Sequence, residues 1–513
     1  MGIHRHYEGE VVSQDTLPAF MKEQIEKYTK GGKLTCLGYY RQGKDISFFL
    51  PSVFKTELQE DSDTDVIKEE DKDAAILLYG SINRYRERIK TGIVKEKEGS
   101  VIATNLDENT NDTLLDHILA LQNFYHRNKD LILMIYKEAH RGYNRINWVK
   151  TVRHCVPIIS KNANRNHIAY MDVCNERSHI HDQEELMVLF FSTLDYIQQE
   201  YNISMPRNEY YTLISRYEFE DMVGNQTICP RLKAIRQQFF NDRMQELWKL
   251  LYAFHNKLDK ENESDVSDAD HNTEYLLATD FDRVFEDMID YLISDIHLAN
   301  LKRHEDNRII DHIFLGKSLF GDISQVYYIA DSKYYKLENE IDSTSITKQY
   351  DYARNIVQMV RDRVNFGKYQ NSIGIDVAES YYNRRTHGYN VTPNFFIRPR
   401  NESSDSFVFE HEKTECVFQH KGCLFDRSTL FLLHYSINLK YVLQAYVNDD
   451  EEERRRIKER IERRVRYDLL SFINDYYLIT DNPKINVPDI AYSSPGILFE
   501  IEGKLFMALP KSK

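Results

Sequence analysis

Cysteine and tryptophan are scarce in this chain, with six and two among 513 residues. No two cysteines form a CxxC pair, so a disulfide scaffold is excluded and reduced thiols are expected. Long apolar runs are missing as well. The longest, such as Leu186 to Phe191, are core-sized and far short of the roughly 18 residues that span a bilayer. The N-terminal Met1-Gly2-Ile3-His4-Arg5-His6 lacks an apolar signal region. His6 also stands where a myristoylation signal requires Ser or Thr. A cytoplasmic protein with no membrane association is expected. Positive charge is in deficit: 67 Lys and Arg against 81 Asp and Glu give a net charge of −14. Phosphate contacts dominate nucleic-acid affinity, so any work on DNA needs a local basic surface or a partner that delivers the DNA. A phosphate-binding loop is also absent. Gly316-Lys317-Ser318 resembles the end of one, but Asp311 occupies the place of its first glycine.

What is present is a soluble globular composition, 42% hydrophobic and 29% charged, long enough for two or three domains. Two acidic polar stretches, Glu57 to Asp73 and Asp259 to Asn272, lack the periodicity that buries a face. They divide the chain into a small β-containing region over 1–56, a mostly helical region over 74–258 that would contact DNA or a partner, and a mixed region over 273–513. Leu34 to Phe54 reads as two strands joined at Gly43-Lys44-Asp45. After the second acidic stretch, Asp280 to Asp295 is an amphipathic helix with an apolar stripe of Phe281, Phe285, Met288, Ile289 and Leu292. Asn307 to Gly316 and Val326 to Tyr335 follow as strands. Thr344 to Val364 is a helix with its N-cap at Thr344 or Ser345, and Ser372 to Ser380 is a further strand. This order predicts a mixed α/β unit.

The second of those strands, "VYYIADSKYYK" from Val326 to Lys336, carries charge inside an otherwise apolar run. Side chains alternate along a strand, so Asp331 and Lys333 project on one side. Asp311 lies in a similar strand twenty residues earlier, and a hairpin would bring the two carboxylates together. Two carboxylates and a lysine suit Mg²⁺-dependent phosphodiester hydrolysis. Mg²⁺ takes oxygen ligands, commonly one or two carboxylates with waters and phosphate. The lysine would hold the attacking water or stabilise the pentavalent species. Ser332 would offer its carbonyl, Glu286 would complete the shell directly or through water, and Gln349 would steady the metal water or the DNA backbone. The alternative is a solvated ion pair at a strand end.

The same acid-x-lysine spacing occurs at Glu70-Lys72 and Glu502-Lys504. The first lies in the acidic stretch. The second follows Pro488-Asp489, but Gly503 suits a hairpin turn and the remaining residues leave no room for a following helix and strand. His411, Cys416, His420 and Cys423 have irregular spacing for zinc, and buried thiols with surface histidines are the simpler reading. His181-Asp182 stands alone. Glu451 to Arg466 holds eight basic and five acidic residues, net +3, but its four i,i+4 pairs fit a salt-bridged exposed helix. Arg384, Arg385, Arg398 and Arg400 are phosphate-contact candidates or scattered surface charge. Trp148 and Pro157 are read as packing residues.

Taken with "KQYDYARNI" and "GYNVTPNFFI" (Gly388 to Ile397), the "DHIF…YYIADSKYYK" stretch resembles restriction endonucleases of the LlaJI type, relatives of McrC. "FFLPSVF" and "NWVKTVRHCVPII" resemble the same family further upstream. The resemblance implies a PD-(D/E)XK nuclease core with a C-terminal helical extension. In it, Asp311 matches the first metal-binding aspartate, Asp331 and Lys333 the (D/E)XK pair, Glu286 the helix glutamate and Gln349 the helix glutamine. Ile310 replaces the usual proline before the first aspartate. Asp282 and Asp287 compete with Glu286 for the helix position. It further implies double-stranded DNA as substrate, a separately encoded McrB-like AAA+ GTPase as partner, and an oligomeric restriction complex. A non-catalytic adaptor that keeps the fold and binds the motor or DNA is the contrasting expectation.

Overall fold

The computed structural model describes residues 3–11, 21, 25–43, 45–55, 69–94, 101–104, 113–132, 135–140, 145–162, 165–180, 184–201, 203–208, 210–263, 273–302, 309–317, 325–334, 339–366, 392–402, 406–417, 430–480, 497–501 and 504–510. The expected strand at 372–380, Arg384-Arg385, His181-Asp182, His420 and Cys423 lie outside them. The fold is mixed α/β. No helix of the described residues is long and apolar enough to cross a membrane.

In chain order the main elements begin with strands β1 (Ile3–Tyr7), β2 (Leu37–Gln42) and β3 (Asp45–Leu50), then helix α1 (Glu69–Lys90) and strand β4 (Ile102–Thr104). Next come α2 (Leu114–Arg127), β5 (Ile135–His140), α3 (Trp148–His154), β6 (Pro157–Asn162), β7 (Arg165–Tyr170), β8 (Asn175–Ile180), α4 (Glu185–Tyr201), α5 (Arg216–Gly224), α6 (Ile228–Ile235) and α7 (Asp242–Glu263). The remainder is β9 (Thr273–Ala278), α8 (Phe281–Ile293), β10 (His312–Lys317), β11 (Gln325–Ser332), α9 (Ser343–Phe366), β12 (Asn394–Arg400), β13 (Phe409–Val417), β14 (Leu430–Asn438), α10 (Leu439–Asn448), α11 (Glu451–Tyr476), β15 (Tyr477–Thr480), β16 (Ile497–Ile501) and β17 (Lys504–Pro510).

The chain forms two compact units. One is built mainly from 105–274; the other combines 4–40 and 47–104 with 275–513. In the first, Thr113 caps α2 through a reciprocal bond with Asp116, which satisfies two backbone donors that a helix start leaves open. Phe124, Phe190, Phe191, Leu251 and Phe254 fill its core. The stretch expected to be mostly helical also holds two antiparallel ladders, β5 with β8 and β6 with β7. Adjacent apolar residues such as Ile158 and Ile159 break the alternation that would have marked a strand, and both are exposed.

The second unit holds two five-stranded sheets. One has the order β1-β3-β2-β9-β4. In it Gly38 at φ +140 lets β9 approach, since a Cβ there would stand 2.2 Å from the Leu276 carbonyl oxygen. The other has the order β10-β11-β12-β14-β13, antiparallel at both edges and parallel through β11, β12 and β14. Val326 to Ala330 are buried to within 1%. A strand covered on both faces reads as a continuous apolar run, which is why the sequence there does not alternate. Phe314, Tyr328, Phe395 and Tyr435 share one face, where the Tyr435 hydroxyl donates to Asp468 of α11 at 3.1 Å. Ile329, Asp331, Asn394, Phe396 and His434 share the other, where Gln349 of α9 bonds Asn394. Strands β13 and β14, within the stretch expected to be a helical extension, complete this sheet before α10 and α11 begin.

Candidate active site

The β10–β11 ladder pairs His312 with Ala330 and Ile313 with Ile329. Each pair sums to 642, and so do 311 and 331. Asp311, one residue before β10, therefore stands directly across from Asp331. Residues opposite each other in an antiparallel ladder present their side chains on the same face. The hairpin thus sets the two carboxyls on one face, close enough for each to feel the other's charge. Burial raises the Asp311 pKa well above the usual carboxylate range, the charges of Asp331 and Glu286 raise it further, and Lys333 pulls only partly the other way. The Asp311 carboxyl therefore resists ionising beside Asp331 unless a cation offsets the charge.

Strand alternation returns at Lys333, whose ammonium lies 2.7 Å from Asp331 Oδ1. Its backbone amide donates to the Ile397 carbonyl at 2.9 Å and fixes the chain as it leaves β11. Asp331 is 7% exposed and Ser332 9%, so both are held at the buried end of the sheet. The Ser332 hydroxyl finds no hydrogen-bond partner among the described residues.

Glu286 comes from α8. That helix buries Phe281, Val284, Phe285, Met288, Ile289 and Leu292, an i, i+3, i+4, i+7, i+8, i+11 stripe. Phe281 and Phe285 pack on Tyr334, just past Lys333, with ring centroids 4.9 and 5.9 Å away. The three acids of this helix differ in their partners. Asp287 accepts from Arg88 at 2.9 and 3.1 Å and from the Tyr446 hydroxyl, and Asp282 is exposed on the first turn. Glu286 lines, together with Asp287, Asp290 and Asp311, a cleft of about 190 Å³.

A further cluster was not anticipated. The Lys302 ammonium donates to the Asp311 carbonyl at 2.7 Å and pairs with Asp290, which also meets His312 Nδ1 at 3.3 Å. Burial alone would raise the Asp290 carboxyl, but His312 and Lys302 outweigh it and hold it below the ordinary range. This cluster fixes the backbone of Asp311. The available signal was Asp290 itself, one turn after Glu286 on the same helix.

Gln349 is fully buried in α9. Its Nε2 donates to Asn394 Oδ1 at 2.7 Å, while its Oε1 has no partner. Asn394 pairs with Ile329, so Gln349 reaches the sheet face that carries Asp331, two residues along the strand. The structure therefore brings Asp311, Asp331, Lys333 and Glu286 together and ties the Gln349 amide nitrogen to Asn394. Other charges are consumed internally. Arg398 pairs with Glu412 and donates to the Asn339 carbonyl at 3.0 Å, and Arg400 pairs with Glu402 and Glu410. On α11 the expected Glu452–Arg456 pair forms at 2.6 Å, whereas Glu462 accepts from the Lys317 backbone amide.

Among the described residues no three carboxylate, imidazole or thiolate side chains gather closely enough to hold an ion alone. Mg²⁺ does not require such a cage, since it keeps waters and binds through one or two carboxylates and substrate phosphate. The facing pair of acids, restrained from ionising together, fits that donor set.

No family model matches this chain, and no curated protein matches it. Among solved structures, it is similar to a chain of the half-complex from a tetradecameric assembly of Thermococcus gammatolerans McrB AAA+ hexamers with bound McrC. That likeness has a TM-score of 0.30 and 10% identity, over 86% of this chain and 98% of the other.

Proposed function

We propose that this chain is a Mg²⁺-dependent DNA endonuclease subunit of a restriction system that hydrolyses phosphodiester bonds in double-stranded DNA. The observation that carries the reading is the Asp311–Asp331 pair, set face to face by the β10–β11 register with Lys333 on the same strand. An acid pair buried for packing alone raises the energy of the fold, because like charges opposite each other repel. A site for a divalent cation accounts for keeping both.

In this reading Asp311 and Asp331 hold the ion, the Ser332 carbonyl adds a ligand, and Glu286 contributes through a water. Bound there, Mg²⁺ would neutralise charge on the phosphate and lower the pKa of a coordinated water. Lys333 now neutralises Asp331. With that carboxylate engaged by the ion, the ammonium would orient the attacking water in line with the scissile bond or stabilise the developing negative charge. Lys302, Asp290 and His312 keep the Asp311 backbone in place. Gln349 steadies α9 against β12. The PD-(D/E)XK assignment and the LlaJI-type, McrC-like family follow from the sequence resemblance. So does a McrB-like AAA+ GTPase as a separate motor, consistent with a sequence that carries no Walker A loop of its own.

The test is cleavage of duplex DNA with Mg²⁺, with and without such a GTPase. Lys333→Ala should abolish cleavage and leave DNA binding and GTPase stimulation intact. Cleavage unchanged in that variant would remove the catalytic assignment. No cleavage by the unaltered chain under any of these conditions, with stimulation retained, would favour the adaptor.

A further inference from the structure

The unit built from 105–274 carries a basic, aromatic hollow that the cleavage chemistry does not use. It lies between the end of α6 and α7, has a volume of about 310 Å³, and is lined by Arg236, Gln237, Phe239, Gln245, Trp248 and Lys249. Its floor is layered. The Arg236 guanidinium lies 4.9 Å over the Trp248 ring, and Tyr252 stacks beneath at 5.2 Å with planes 9° apart. Lys233 sits 5.4 Å from the Tyr252 centroid. The Trp248 indole N–H donates to the Leu232 carbonyl at 2.7 Å, which fixes the ring in plane. Phe240, beside Phe239 in the chain, is 89% exposed.

The charge around this hollow opposes that of the chain. Residues 228–252 hold five basic side chains and two acidic ones, a local +3 in a protein of −14. Two of the five are satisfied, Arg231 by Glu185 and Arg243 by Asp130, both within 2.7 Å. One of the acids, Glu246, is taken by Arg127 at 3.2 Å. Lys233, Arg236 and Lys249 have no carboxylate partner among the described residues, and all three are exposed. A stacked π-cation floor, an exposed aromatic ring, two side-chain amides and open cations together match what a nucleotide presents: a flat base, polar base edges and a phosphate. An acidic peptide would use the cations but has no flat face for the stack. A duplex keeps its base faces covered, so the bases must be unpaired.

We propose that this hollow binds an unpaired nucleotide of a single-stranded nucleic acid, its base on the guanidinium and aromatic faces and its phosphates on Lys249 and Lys233. The inference stands apart from the acid pair, and its test uses no divalent cation, so its failure would leave the cleavage reading untouched. The chain has two tryptophans. Trp148 is 58% exposed, so Trp148→Phe should be tolerated and leaves Trp248 as the sole reporter. The full chain carrying this change is titrated in chelator with a short oligothymidylate, a duplex of the same length, and thymidine monophosphate. Saturable quenching by the oligothymidylate is expected, with weaker binding of the other two. Arg236→Ala and Phe240→Ala should each weaken binding by at least about fivefold, the lower end for loss of one base stack, at unchanged melting temperature. Lys249→Ala should lower the salt dependence by about 0.7 in log–log slope, the loss of one single-strand phosphate contact. Absence of saturable quenching overturns the proposal, as does equal binding of the duplex. Monophosphate binding as tight as the oligomer's would overturn the strand assignment and make this a free-nucleotide site. Equal affinity in all three variants would place binding elsewhere.

Discussion

Replacing Asp311 by asparagine should make the protein more stable and less able to cut. The two side chains stand opposite each other, where Cβ atoms lie about 5 Å apart. Two full negative charges at that separation repel by about 3 kcal/mol at an effective dielectric near 20. The unaltered pair avoids this by retaining a proton on Asp311, whose pKa burial and Asp331 raise. Asparagine keeps the shape and supplies an N–H donor to Asp331 without needing that proton. In chelator, Asp311→Asn should therefore gain between about 1 and 3 kcal/mol, a rise of a few degrees in melting temperature. Saturating Mg²⁺ should close or reverse that gap. Ligand at a hundred times its dissociation constant adds about 2.7 kcal/mol to a protein that binds it. The unaltered chain should show that upward shift and the variant should not. Scanning fluorimetry in chelator and in Mg²⁺ reads both terms, and a nuclease assay should show cleavage lost. A variant that melts lower than the unaltered chain in chelator, or that keeps the full Mg²⁺ shift, would refute the idea that these acids are a strained ion site.

Gly316→Ala should destabilise the β10–β11 hairpin by about 1–3 kcal/mol, because the added methyl would meet Tyr328 Cε2 at 2.6 Å in a closely packed face; urea unfolding measures it, and a neutral result would mean the ring moves freely. Lys302→Met removes the donor to the Asp311 carbonyl and leaves Asp290 without its ammonium partner. Cleavage should fall while DNA affinity holds, and unchanged turnover would show that Asp311 needs no such anchor. His255 is buried, and the burial lowers its pKa to about 3. The Thr193 hydroxyl gives its proton to the Leu189 carbonyl, so His255 Nε2 is the donor to Thr193 at 3.0 Å. The unfolded histidine protonates near 6.5 and the folded one does not. This contribution is therefore complete above that value and lost as pH falls from 6.5 toward 3, by roughly 2 kcal/mol at pH 5. Unfolding at pH 7.5 and 5, compared with His255→Leu, should show the difference vanish in the variant; an equal slope in both would assign it to other groups.

The acid pair was legible because everything that builds it is local. Alternation places Lys333 with Asp331, and a hairpin brings a strand twenty residues earlier alongside. The helix over Phe281–Ile293 was legible from its apolar stripe, and the strand over Gln325–Ser332 from its unbroken apolar run. That Asp287 is engaged by Arg88 and Tyr446 was not legible, since those partners lie 199 and 159 residues away. The same holds for Lys302, whose importance comes from a carbonyl nine residues on. Strands β13 and β14 were missed because their sequences, "FEHEKTECV" and "LFLLHYSIN", become one half-exposed edge and one buried centre only when placed against β12. Propensity does not encode that placement.

Arg88 and Asp287 meet across 199 residues of chain, and the unit they stabilise is interrupted by residues 105–274, which form most of the other. A ribosome therefore delivers the two halves of this scaffold at separate times. The early half, with α1, must wait through the synthesis of residues 105–274 before α8 appears to receive it. Asp311 and Asp331 emerge later still, and the flanking strand β14 after them. The sheet that carries the acid hairpin is thus completed only after β14 has been made, a built-in delay between translation and a finished centre.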